Sequence, residues 1–272
     1  MFDTGAALIG LLAVALLMAV VWAVHLRDED ASIVDPVWGL AIWLVGIVHA
    51  LGAGAPLRGG RLVVLLVAGA WAIRLAAHLH IRHSLQGEDR RYTAMREKRG
   101  AAWWWQSLFV VFLLQAVLAW VVALPLMAAM TGPRELGWLG WVGIAVALCG
   151  FFFEAIADGQ LAAFKRAEDV RRTEGARAEN AAAAGERAVM DRGLWGHSRH
   201  PNYFGEAVVW WGLGLAGAAH GAWWCLLGPA LITFMLLKVS GVSMTEADIA
   251  ERRPAYRDYV QRTNAFVPGP RR

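Results

Sequence analysis

Seven apolar runs separated by polar stretches account for most of the chain: about 5–26, 33–53, 61–83, 104–131, 137–164, 203–219 and 221–243. Most reach the roughly 20 residues that a helix needs to cross a bilayer. Charged residues are gathered into blocks between the runs, whereas a soluble domain of this length spreads its charge over its surface. The pattern predicts an all-α polytopic membrane protein, a single seven-helix bundle. The sixth and seventh runs are short and divided only around Ala218–Gly221, so they read as a tight helical hairpin. Residues 5–26 lack a basic leader and read as a retained first span. The Ala-rich polar stretch 173–188 suits a cytosolic helix or loop and carries no evident chemistry.

Composition agrees with this reading. The 272 residues are 58% hydrophobic and 18% charged, with 15 Trp. Cys149 and Cys225 each lie inside an apolar run, which implies neither a disulfide framework nor a metal or redox pair. The small excess of Lys and Arg reports orientation rather than nucleic-acid binding. One alternating set of loops and the tail carry Arg27, then Arg90, Arg91, Arg96, Lys98 and Arg99, then eight basic residues from Lys165 to Arg199, then six from Arg252 to Arg272. The opposite set carries only Arg58, Arg61 and Arg134. The positive-inside rule then predicts an outside N-terminus and a cytosolic C-terminus.

Every polar cluster falls on the predicted cytosolic side. Arg74, His78 and Arg82 recur every four residues on one helical face. Glu154, Asp158 and Lys165 share a side of the fifth run, and Arg199, Asn202, Tyr203 and Glu206 lie at the start of the sixth. Three polar stripes at one depth predict a cavity rich in Arg and in amide or carboxylate partners. Such a cavity suits a phosphate-bearing cytosolic molecule, while the apolar remainder suits a substrate entering from lipid. Structural readings stand beside this one. Arg74 paired with Asp158 or Glu154 also holds helices together, and Arg82, Arg90 and Arg91 also serve as topology signals and headgroup contacts. HLHIRH at 78–83 is no metal site on a helix, because His78 and His80 point about 200° apart.

The segment GLWGHSRHPNYFGE at 193–206 resembles the signature of the membrane-embedded steroid 5-alpha-reductase family, in its bacterial branch. The resemblance extends to DPVWG at 35–39, RLAAHLHIR at 74–82 with GEDRRY at 87–92, EAIADGQLAAFK at 154–165, and ERRPAYRDYVQRTNAFVPGP at 251–270. It implies a seven-helix bundle that uses NADPH to reduce the double bond of a 3-oxo-4-ene steroid or related apolar enone. It implies a cofactor site drawn from Arg74, His78, Arg82, Asp89, Arg91 and Tyr92, then Glu154, Asp158 and Lys165. Arg199, His200, Asn202, Tyr203, Glu206, Tyr256 and Tyr259 complete it. The family's catalytic acid falls at Asp35, and its catalytic Tyr position falls near Trp71, so Trp38 and Trp71 are expected beside the substrate. His78 and Tyr92 are the alternative proton donors.

Reduction of an enone delivers hydride to the β carbon and negative charge to the carbonyl oxygen, so a hydrogen-bond donor at that oxygen lowers the barrier. The nicotinamide would bring the hydride. A membrane methyltransferase using S-adenosylmethionine carries a similar Arg-His-Pro-x-Tyr mouth and stands as the alternative activity. A lipid-binding or assembly protein that takes no nucleotide is the third reading.

Overall fold

The computed structural model describes residues 2–54, 56–132, 135–177, 188–219, 221–239, 241–242, 246 and 255–271. Arg134, Arg252, Arg272 and residues 178–187 of the Ala-rich stretch lie outside these. The chain is all-α among the described residues, apart from an isolated bridge between Ser198 and Asn264. Its main helices are α1 (Thr4–Asp28), α2 (Val34–Gly52), α3 (Gly59–Gln86), α4 (Arg90–Arg99), α5 (Trp103–Ser107), α6 (Leu114–Val122) and α7 (Leu124–Thr131). They continue with α8 (Gly137–Arg177), α9 (Pro201–Ala218), α10 (Leu227–Phe234) and α11 (Tyr256–Arg262).

Helix α1 shows what solvent the protein is built for. Leu8, Leu12, Leu16, Val20 and Val24 recur every four residues and all face outward, Leu12 being 69% exposed. The inward face is made of Ala7, Gly10, Val14, Met18 and His25. The outer face is thus the more apolar of the two, the reverse of a helix on the surface of a water-soluble domain. Lipid outside and close packing of small residues inside account for this inversion.

Five helices among the described residues are long and apolar enough to cross a membrane: Thr4–Asp28, Ala31–Gly52, Gly59–Leu85, Arg90–Val122 and Gly137–Glu174. The apolar run Trp223–Val239 is shorter, and α9 carries its polar residues in its first two turns. The expected span 104–131 is corrected in two ways. Its helix starts earlier, because α4 runs through a 3-10 turn at Gly100–Ala102 and a π-helical turn at Leu108–Leu113 into α6. It also ends earlier: the chain breaks at Ala123, and α7 restarts with Pro125 in its first turn. Proline has no N–H to give to the carbonyl four residues back and clashes with it, so it cannot continue the helix.

The chain divides into two compact units. The first comprises Met1–Ala145 with Trp211–Leu231, and the second Val146–Trp210 with Ile232–Arg272. In the first unit α2 is the central helix, packed against α1, α3, α6 and α7. Small residues let it approach its neighbours. A Cβ on Gly39 would sit 3.4 Å from the Ala72 Cα, and one on Gly69 would sit 2.7 Å from the Trp43 indole. That indole donates to the Leu65 carbonyl at 3.0 Å. Gly39 is one turn beyond Asp35, so this close approach fixes the beginning of α2 against α3.

In the second unit α8 and α9 meet through glycine. A Cβ on Gly150 would lie 2.6 Å from the amide nitrogen of Val209, and one on Gly205 would lie 2.7 Å from the amide nitrogen of Glu154. Both obstacles are backbone and cannot rotate away. Gly150→Ala is therefore expected to destabilise the fold by about 1–3 kcal/mol through overpacking. Gly159→Ala, on the same helix with open space around it, should be neutral or stabilising by up to about 1 kcal/mol. Thermal unfolding of the two variants in detergent checks the contrast, and equal midpoints would contradict the helix contact.

Candidate functional site

In the first unit, the two connections that flank α2 and α4 are joined by polar groups. Asp30 accepts from the Ser32 amide at 2.8 Å and shapes the 3-10 turn Ala31–Ile33 that leads into α2. Asp89 accepts from the Arg91 amide at 2.9 Å and caps α4. The Asp89 amide in turn donates to the Ser32 hydroxyl at 2.6 Å. Glu88 reaches back to accept from the Ala31 amide at 3.0 Å, and it also binds Thr93 and Arg96. His83 lies 3.1 Å from Asp30. The start of α2 and the start of α4 are thereby held together.

Across that junction lies the pair of interest. The Tyr92 hydroxyl donates to Asp35 Oδ1 at 2.7 Å and accepts from Gln115 Nε2 at 3.3 Å. Arg91 reaches Asp35 Oδ2 at 3.2 Å while holding both oxygens of Asp89, at 2.9 and 3.1 Å. Burial works against charge on Asp89, but hydrogen bonds from Arg91 and the nearby charges of Arg91 and Arg82 hold its carboxyl below the usual range. Both oxygens of Asp35 are thus in hydrogen-bond contact, one with Tyr92 and the other with Arg91. Asp35, Arg91 and Tyr92 come from sequence segments 56 residues apart and more.

The second unit contains a different cluster. Arg199 grips Glu246 with two nitrogens, at 2.7 and 3.0 Å, and donates to the carbonyls of Thr263 and Val260 at 2.6 and 3.2 Å. It thus closes the C-terminal end of α11, where carbonyls lack helical partners. His200 Nε2 lies 2.9 Å from Glu246, and the Tyr256 hydroxyl donates to it at 3.2 Å. Burial raises the Glu246 carboxyl, but the hydrogen bonds and charges of His200 and Arg199 outweigh it and bring the group down to about 2. Tyr259 donates to the carbonyls of Trp195 and Ser198, at 2.5 and 3.2 Å, and burial pushes its phenol up. The tail continues the knot: the Arg199 amide donates to Asn264, and the Ser198 hydroxyl donates to Phe266.

Beside this knot, Asn202 Nδ2 donates to Asp158 at 3.1 Å. Its Oδ1 is buried without a partner among the described residues, and Gly205 rests on the backbone of the buried Glu154. An amide with one free acceptor next to a carboxylate is a donor and acceptor set that matches a carboxamide.

The sequence-predicted residues thus separate into groups. Asp35, Asp89, Arg91 and Tyr92 are brought together, with Arg82 close enough to act on Asp89. Asn202 and Asp158 are brought together. Arg199, His200 and Tyr256, expected at a cofactor, are joined to Glu246, and Tyr259, expected there too, to carbonyls. Tyr203 stacks parallel to His200 with ring centres 5.3 Å apart. Arg74, His78, Lys165 and Glu206 are half-buried on their helices, Trp38 is half-buried a turn from Asp35, and Trp71 is fully buried. Sequence reasoning missed Ser32, Glu88, Gln115 and Glu246. Glu88 lies inside the GEDRRY motif and was legible there; Gln115 is a lone amide in an apolar run, the signal that singled out Arg74.

Comparison with known proteins places the chain among relatives of matching extent. The family described as "Protein of unknown function (DUF1295)" matches residues 21–263. The uncharacterized protein C594.04c of Schizosaccharomyces pombe is 26% identical over 288 aligned positions, covering 98% of this chain and 81% of the relative. No solved structure matches.

The Glu246 cluster makes a pH prediction. A carboxyl lowered from 4.5 to about 2 in the folded state stabilises that state fully above about 4.5, and the contribution fades as pH falls toward about 2. The hydrogen-exchange protection factors of the Thr263 amide and of α11, taken against the intrinsic rate at each pH, should therefore fall across that window in the wild type. In Glu246→Gln they should already be low at pH 6. Identical exchange in the two proteins at pH 6 would contradict the assignment.

Proposed function

This chain belongs to the DUF1295 family, and from that premise we propose that it is a membrane-embedded, NADPH-dependent reductase that saturates the carbon–carbon double bond of a steroid-like or other apolar enone. The observation that carries the reading is the Tyr92 hydroxyl held 2.7 Å from Asp35, at the start of two apolar helices. The resemblance of the ordered motifs to steroid 5-alpha-reductases supplies the reaction class.

When bound, NADPH supplies the hydride for the β carbon. The protein's task is to receive the charge that appears on the carbonyl oxygen. Tyr92 turns its single O–H from Asp35 to that oxygen when substrate binds, while Gln115 still donates to the phenol, and the resulting enolate takes its α-carbon proton from water. Asp35 and Gln115 orient the phenol, and Arg91 keeps Asp35 in place. Within the second unit, Asn202 and Asp158 offer a donor and acceptor set that fits a carboxamide, since Asn202 has a buried acceptor to offer. Phosphate contact falls to Arg82 and its α3 neighbours Arg74 and His78 rather than to Arg199 and His200, whose nitrogens serve Glu246. The membrane-facing helices provide the apolar route for the substrate.

Removal of one donor from a developing oxyanion typically costs 10²–10³ in rate. Tyr92→Phe should therefore bind NADPH with unchanged affinity and lose about a hundredfold or more in turnover of a 3-oxo-4-ene steroid. Asp35→Asn should keep NADPH binding and lose most turnover as well, because the phenol loses the carboxyl that positions it. Single-turnover absorbance at the nicotinamide band, with NADPH saturating, measures both. A wild-type rate in Tyr92→Phe overturns the assignment of the donor, and binding of S-adenosylmethionine in place of NADPH overturns the reaction class.

A further inference from the structure

At the end of the first unit away from Asp35, the N-termini of α1 and α3 meet the C-termini of α2 and α7 around a cavity of about 490 Å³. Asp3, Thr4, Arg61 and Thr131 line it together with Phe2 and Met130. It takes no part in the reductase reading. Its charges are what distinguish it. Arg61 belongs to the first turn of α3 and donates to the Gly132 carbonyl at the end of α7. Its Nε is buried and has no partner among the described residues. Asp3 uses Oδ1 to cap α1 through the Ala6 amide at 2.9 Å. Among the described residues neither side chain is in an ion pair, so one cavity holds a guanidinium and a carboxylate that do not neutralise each other.

The level of the cavity is marked by aromatic rings. Phe2 packs edge-on against Trp224 with ring centres 5.1 Å apart, and Trp223 beside it is 59% exposed. Aromatic side chains gather at the membrane–water interface, where headgroups lie. A ligand for this cavity must present an anion to Arg61 and an N–H-bearing cation to Asp3, on an apolar stem that can lie against the surrounding helices. We infer that this cavity is a binding site for a phosphoethanolamine group, the headgroup of a zwitterionic phospholipid. An anionic phosphate ester without the ammonium meets the repulsion of Asp3. A trimethylammonium headgroup has no N–H to donate to that carboxylate.

The test uses delipidated, detergent-purified full-length protein and its thermal unfolding midpoint, since a ligand that binds only the folded state raises it. The probes are dihexanoyl phosphatidylethanolamine, phosphatidylglycerol and phosphatidylcholine at equal concentration, and free phosphoethanolamine. Phosphatidylethanolamine should raise the midpoint by several degrees, and the other two lipids clearly less. A matching rise with free phosphoethanolamine assigns the binding to the headgroup alone. A rise restricted to the lipid assigns it to headgroup and chains together; either supports the site. Asp3→Asn keeps the helix cap, because Asn caps as well as Asp, and should abolish the preference over phosphatidylglycerol. Arg61→Gln should remove the response to all three lipids. Should that variant fail to fold, Asp3→Asn decides alone. Phosphatidylglycerol equal to phosphatidylethanolamine in the wild type, or an unchanged preference in Asp3→Asn, overturns the inference.

Discussion

The structure depends on one constraint: within an apolar bundle, polar atoms must be answered by other protein atoms, because the surroundings cannot answer them. The two units meet it in different ways. The first gathers its charged groups at the connections where helices begin, so that Asp30, Asp89 and Glu88 cap backbone amides while Arg91 and Arg96 balance them. The second concentrates charge around a single carboxylate. Glu246 holds Arg199, His200 and Tyr256, and Arg199 passes the connection on to the carbonyls that end α11. In both, a residue that looks like binding machinery is first a means of closing unsatisfied backbone.

That double use explains which parts of the site were legible in the sequence. Asp35, Arg91 and Tyr92 stand in short polar motifs beside apolar runs, and their grouping follows from the order of the helices. The four-residue spacing of Asp158 to Glu154 and the polar start of α9 marked both residues as polar groups of one depth, and the structure joins them directly. The Arg-His-Pro-Asn-Tyr motif gave no sign of its ion pair with Glu246, for a physical reason. An Arg next to a His reads as an anion site, and nothing local says that Glu246, 47 residues further on, already occupies it. Long-range ion pairs leave no periodic trace, whereas faces of helices do.

The helical character of the apolar runs was legible; their continuity, and the polar helices α4 and α11, were not. Hydropathy cannot distinguish one helix over 104–131 from a π-turn followed by a break, because every residue involved is apolar; only Pro125 marked the interruption. Likewise the charged residues after Phe164 read as loop, yet α8 continues to Arg177. Alanine and long charged side chains propagate a helix well once a preceding span has nucleated it.

Helix α8 has 41 residues, so at 1.5 Å per residue it is about 61 Å long, roughly twice the hydrocarbon thickness of a bilayer. It is a lever as much as a wall. Its pivot lies where glycine brings α9 against it, at Gly150 and Gly205. From Gly150 to Arg177 the arm is about 40 Å. A tilt of only about 10°, within the ordinary range for a transmembrane helix, moves the far end by about 7 Å. Packing and interfacial anchors set such tilts, and the unbroken helix from Gly150 to Arg177 carries whatever tilt they impose to its far end as displacement.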